Sequence, residues 1–146
     1  MWRAARARPA RSCSVRVVGA EPNDVVLAVI DAYNARDMDA LLACFRPDVE
    51  WHTTPGFLWP GPYRGKEALR GLFAHWWQGW ERGHADPEQI VPAGDRVLVS
   101  ADIHGRSAGD GLDVHVHLNW IFHVRDGLVH AVRSYESPEE ARAALG

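Results

Sequence analysis

Cysteine is nearly absent from this chain of 146 residues: only Cys13 and Cys44 are present. Two cysteines exclude a disulfide-stapled scaffold. Cys13 falls in an arginine-rich stretch and Cys44 on the apolar face of an expected helix, so no disulfide is expected. That pattern fits a reducing, cytoplasmic setting. Long apolar runs are missing as well. None reaches the roughly 18 residues of a membrane-crossing helix, so no membrane partner is expected. Acidic residues are absent from the first 20 positions, which hold Arg3, Arg6, Arg8, Arg11 and Arg16. The formal charge of the whole chain is -3, so the rest is clearly acidic. An acidic body excludes nucleic acid as the main partner, because phosphates need positive charge.

The arginine-rich start has the composition of a transit peptide but little periodicity, and it lacks the apolar stretch of a secretory signal. Residues 1–21 are read as an extension, disordered or extraneous to the fold. What remains is ordinary globular material: 47% of the chain is hydrophobic and 24% charged. A chain of this length buries about two-thirds of its unfolded surface, so it needs no metal or disulfide to stabilise it. Residues 22–146 are expected to form one domain.

Helices come first. Asn23 or Asp24 is placed to cap a helix carrying Val25, Val26, Val29, Ile30 and Tyr33 at helical spacing. Asp37 is placed to cap a second helix, with Leu41, Leu42 and Phe45 on one face and Pro47 ending it. Residues 48–53 alternate as a strand, and residues 54–64 are rich in proline and glycine. A third helix is expected from Lys66 to about Gly83, with Leu69, Leu72, Phe73, Trp76 and Trp80 on its buried stripe. The period then changes to 2. Strands are expected over 85–91, 96–106, 112–124 and 128–136, the last two joined by a tight turn at Arg125-Asp126-Gly127. Ser137 and Pro138 open a short final helix. Helices followed by an antiparallel meander make an α+β fold.

The order of these pieces resembles a known family. The run from Val29 to Leu42, Asp48-Val49-Glu50-Trp51-His52, Tyr63-Arg64-Gly65-Lys66-Glu67-Ala68-Leu69 and Arg125-Asp126-Gly127-Leu128-Val129 together look like SnoaL-like proteins of the nuclear transport factor 2-like superfamily. The resemblance covers about residues 22 to 146. It implies a cone: three N-terminal helices packed on a curved, mostly antiparallel sheet, with a short C-terminal helix. It does not fix an activity, because one fold hosts many sites.

The resemblance also implies which side chains look into the cone. These are Val49, Trp51 and Thr53; Leu98, Ser100, Asp102 and His104; Val116, Leu118, Trp120 and Phe122; and His130, Val132, Ser134 and Glu136. Alternation supports this over 114–124, where every even residue is apolar. Over 97–103 the apolar residues are the odd ones, Val97, Val99, Ala101 and Ile103. That face is expected to serve a dimer interface, on the outside of the sheet. Ketosteroid isomerase chemistry is excluded, because Thr53, Val29 and Trp120 stand where its base and oxyanion-hole donors would be. The epoxide hydrolases of the superfamily use two strand carboxylates and an arginine. Asp102 and Glu136 are candidates for the carboxylates, but Ser100 replaces the arginine. A SnoaL-type acid/base pair is supplied by Asp102 and His104, two residues apart on one strand.

His115 and His117 have a metal-like spacing. They face away from His104 and His130 in this scheme, and no metal is expected. Seven tryptophans are the most unusual feature. Trp51, Trp80 and Trp120, with Phe57, Trp59 and Tyr63 nearer the mouth, are expected to wall a pocket together with Thr53. The expected catalytic groups are Asp102, His104, His130 and Glu136, working without a cofactor on an apolar or polycyclic molecule. The alternative is a non-catalytic binding or dimerisation module. A homodimer through the outer sheet face is expected in either case.

Overall fold

The computed structural model describes residues 21–54 and 61–146. The arginine-rich start, Phe57 and Trp59 lie outside the described residues. Helix α1 (Pro22–Ala35) begins with its proline in the first turn, where the missing N–H costs nothing. Its cap is Glu21, with no side-chain hydrogen bond, rather than Asn23 or Asp24. Helix α2 (Met38–Leu42) is capped by Asp37, whose carboxylate accepts from the Ala40 N–H. It ends earlier than Pro47 would require. Phe45 and Pro47 belong instead to strand β1 (Phe45–His52). Strand β2 (Tyr63–Arg64) pairs with β1 through Trp51 and Tyr63.

Helix α3 (Lys66–Gln78) is also shorter than its apolar stripe suggests. Trp80 does not continue it but opens strand β3 (Trp80–Ala93), paired with Ser107. The indole lies against Gly83, where an added Cβ would meet the Trp80 ring at 3.0 Å. Strands β4 (Arg96–Ser107), β5 (Asp113–Arg125) and β6 (Leu128–Tyr135) complete the sheet. Helix α4 (Pro138–Leu145) follows, with the Ser137 hydroxyl accepting from the Glu140 N–H.

The strand order is β2-β1-β6-β5-β4-β3. Every neighbouring pair is antiparallel except β1 and β6, which run parallel. Strand β3 lies at the edge, which is where Pro87 and Pro92 are tolerated. The edge is partly closed by α1. The Asn34 side chain donates to the Ala85 carbonyl at 3.0 Å and accepts from its N–H at 2.8 Å, as a neighbouring strand would. Arg36 adds a bond to the Trp80 carbonyl at 2.8 Å.

The first three helices cover one face of the sheet. Val26, Leu41 and Leu69 pack there with Val49, Val97, Val99 and Val132, all at most 0% exposed. On the other face α4 places Ala141 over Leu98 and Ile121. This is an α+β curled mixed sheet with helices in its hollow, the fold implied by the resemblance.

Two expectations are corrected by strand pairing. In an antiparallel pair, directly opposed residues share a face. Val99 lies opposite Trp120, Ala101 opposite Leu118 and Ile103 opposite Val116. The odd face of β4 therefore lines the hollow and is not an outer interface. Leu98, Ser100, Asp102 and His104 are on the outside. The second correction concerns His130. The pairing of β5 with β6 slips by one residue between His123 and Val124. Such a bulge reverses which residues face inward. Val129 and Val132 are both buried at 0% exposure, and His130 between them turns to the outer surface. Cys44 is disulfide-bonded, so the expectation of no disulfide is also corrected. No helix among the described residues is long and apolar enough to cross a membrane.

Candidate functional site

The hollow holds a cavity of about 280 Å³. One wall is helical: Val29, Ile30 and Tyr33 from α1, with Leu72, Phe73 and Trp76 from α3. The spacing of these residues explains the wall, since i, i+3 and i+4 share a helix face. The other wall is the sheet: Ala101 and Ile103 of β4, Leu118, Trp120 and Phe122 of β5, and Trp51 of β1. Leu118 and Trp120 are only half-buried although they face inward, because they border open space rather than core.

Aromatic rings organise the sheet wall. Trp51 is the hub, edge-on to Phe73 at 5.6 Å, Trp120 at 6.3 Å and Phe122 at 6.1 Å between centroids. Edge-to-face packing of this kind adds to the area that the rings bury. It also fixes the wall in one geometry.

Polar groups are few. On the sheet side Thr53, Thr54, His117, Ser134, Tyr135 and Glu136 border the cavity. The Thr53 hydroxyl accepts from the Gly61 N–H at 2.8 Å, tying the end of β1 to the segment before β2. Glu136 is exposed, and it is the one carboxylate among the described residues that border the cavity. On the helix side the Trp76 indole N–H donates to the Tyr33 hydroxyl. Burial pushes the Tyr33 phenol far above its usual range, and the indole hydrogen bond offsets this only partly. The phenol therefore keeps its proton at any ordinary pH.

The sequence-derived site residues divide accordingly. Trp51, Thr53, Trp120 and Glu136 come together at the cavity. Tyr63 is beside Trp51 on the neighbouring strand and does not border it. Trp80 packs with Trp76, rings 5.9 Å apart, and does not border it either. Asp102 and His104 do not enter it. They belong to a polar array on the outer face of β3, β4 and β5. His104 Nε2 is 2.7 Å from Asp86, which also meets His84 at 3.2 Å. Asp102 lies 3.3 Å from His115 and 3.7 Å from His117. His117 also meets Glu88 at 3.4 Å, so the polar side chains of this array pair with their neighbours. Among the described residues no group of three such side chains has the geometry to hold a metal ion.

His130 lines a second, polar depression of about 270 Å³ with Arg46, Asp48, Glu50 and Arg125. Burial lowers its pKa, and Arg125 and Arg46 lower it further. Tyr33, Trp76, Ala101 and Ile103 were not among the expected site residues. Two signals in the sequence pointed to them: Val29, Ile30 and Tyr33 on one helical face, and the odd-numbered apolar alternation of β4.

Solved structures share this fold. TerC, co-crystallised with polyporic acid, is 21% identical, with a TM-score of 0.70 over 86% of this chain and 98% of that one. An NTF2-like protein of unknown function from Burkholderia pseudomallei is 16% identical, with a TM-score of 0.72 over 86% and 98%. A hypothetical protein with a ketosteroid isomerase-like fold from Catenulispora acidiphila, in complex with trimethylamine, is 21% identical, with a TM-score of 0.68 over 82% and 89%. At these identities the likeness is one of fold. A comparison with curated proteins gives no match. The SnoaL-like domain model matches residues 26–132, which include both walls of the cavity except for the end of β6. On its fold and on that match, this chain belongs to the SnoaL-like domain family.

Proposed function

We propose that this protein binds a small, largely apolar molecule, aromatic or polycyclic, in the cavity between its helices and its sheet. One observation carries the reading: an open cavity walled by Trp51, Phe73, Trp120 and Phe122, with only a few polar groups at its border. Small-molecule sites have this composition. The ligands in two structural relatives, polyporic acid and trimethylamine, are consistent with a fold that takes small molecules. The test is native mass spectrometry and thermal shift against a panel of planar aromatic and linear polar metabolites. The reading expects the aromatic members to bind and raise the melting temperature. It fails if none binds.

A catalytic role rests on a second observation, the position of Glu136 and Ser134 on the sheet side of the cavity. A carboxylate at that border would serve cofactor-free proton transfer, in isomerisation, cyclisation or water addition. Product analysis with bound panel members tests this, and Glu136→Gln should abolish any turnover without abolishing binding. Where no product forms, the protein is a binding module. The reading also has two copies pairing through the outer sheet face, where the His and Asp side chains form a polar array. Sedimentation velocity measures that directly, and a monomer at all concentrations removes it.

A further inference from the structure

The helix wall carries one polar feature in an otherwise apolar surface. The Tyr33 hydroxyl oxygen accepts the Trp76 indole N–H, and both residues border the cavity. A phenol has one proton to donate as well as lone pairs to accept with. The indole can only donate, so it occupies a lone pair and leaves the proton unused. No hydrogen bond from Tyr33 to any described residue exists. Burial keeps the group neutral, so it acts as a donor and not as a base. Tyr33 is 9% exposed and borders the cavity among Val29, Ile30 and Phe73. A ligand oxygen that enters the cavity can accept this proton in a site shielded from bulk water, where a hydrogen bond is worth more than in solution. An accepted hydrogen bond also polarises the phenol and strengthens its own donation.

We infer that Tyr33 is a ligand-binding donor for a carbonyl or similar oxygen on a flat apolar molecule, with Trp76 as the residue that positions it. This deepens the binding role proposed above and rests on it. It adds a chemical class to the ligand: an aromatic ketone or quinone-like acceptor rather than a bare hydrocarbon. It also gives an orientation. The acceptor oxygen turns to α1, and the opposite edge of the ligand turns to Thr53, Ser134 and Glu136 on the sheet. A carbonyl held this way is polarised, so a proton on its α-carbon becomes easier to remove.

The test uses two probes of nearly the same shape, fluorene and 9-fluorenone. Wild-type protein should bind the ketone about tenfold more tightly, the worth of one good hydrogen bond. Tyr33→Phe should bind fluorene as before and lose the preference for the ketone. The infrared carbonyl stretch of bound fluorenone should rise in Tyr33→Phe relative to wild type. Trp76→Phe keeps the phenol and should give an intermediate stretch, an effect that lost packing alone does not produce. Should Tyr33→Phe not fold, the Trp76→Phe spectrum carries the test. An unchanged preference with an unchanged stretch overturns the role of Tyr33 while leaving the pocket intact. Failure of both probes to bind wild-type protein overturns the pocket reading, and this inference with it.

Discussion

Asp102 of β4 stands directly opposite His117 of β5, with its carboxylate 3.7 Å from the His117 ring and outside the cavity that His117 borders. Two pairs along, His104 stands opposite His115 with the rings stacked 5.5 Å apart. This pairing removes from the cavity the two residues that sequence reasoning favours most for acid/base chemistry. Asp102→Asn is therefore expected to leave affinity for any cavity ligand within twofold of wild type. Isothermal titration with a bound panel member checks it. A tenfold loss would mean that the outer array communicates with the cavity.

Ala101 is 2% exposed and borders the cavity on β4, between Leu118 of β5 and Pro87 of β3. Its small size leaves space that a larger side chain would occupy. Ala101→Leu should block aromatic ligands by at least about tenfold, because the new atoms fill the binding volume. Stability should not fall by the usual overpacking cost of about 1–3 kcal/mol, since the added atoms enter empty space. Ligand titration and urea unfolding on the same sample separate the two effects. Unaltered binding would place the ligand elsewhere.

Asn34 closes part of the exposed edge of the sheet by binding both backbone groups of Ala85. Leucine has a similar size and no hydrogen-bonding groups. Asn34→Leu should destabilise the fold by about 1–3 kcal/mol, the cost of leaving partly buried backbone groups unpaired. Chemical unfolding measures this. An unchanged midpoint would show that water replaces the amide at no cost.

Acid should weaken the fold in two stages. Burial is the main cause that lowers the pKa of both His123 and His130 below the ordinary 6.5. The unfolded chain thus takes up protons at these sites before the folded one does. Stability is lost as pH falls below 6.5 and levels off below the folded values. Glu50, hydrogen-bonded to His52, and Asp48, hydrogen-bonded to Arg46, are shifted down as well. Their contribution disappears at lower pH, below the ordinary 4.5 and 3.8. Urea midpoints measured between about pH 7.5 and 5 should fall steadily. The slope should be shallower in the double variant His123→Gln/His130→Gln. An equal slope would assign the effect to other histidines.

The sequence by itself determined the kinds of element and most of their ends. Asp37, Ser137 and Pro138 mark helix starts by their own capping chemistry, and Asp126-Gly127 marks the last hairpin because both residues adopt positive φ. The inward face of β5 was also legible, since every even residue from Val114 to Val124 is apolar. Trp80 was not legible as a strand residue: its spacing from Trp76 fits a helix, and only pairing with Ser107 moves it into the sheet. The orientation of β4 and the place of His130 were decided by tertiary structure alone. Alternation states that two faces differ, but the partner strand decides which one is concave. On β4 that partner is Trp120 opposite Val99; on β6 it is a one-residue slip at His123 that turns His130 outward. Both depend on contacts between residues distant in the chain, and no local pattern encodes them.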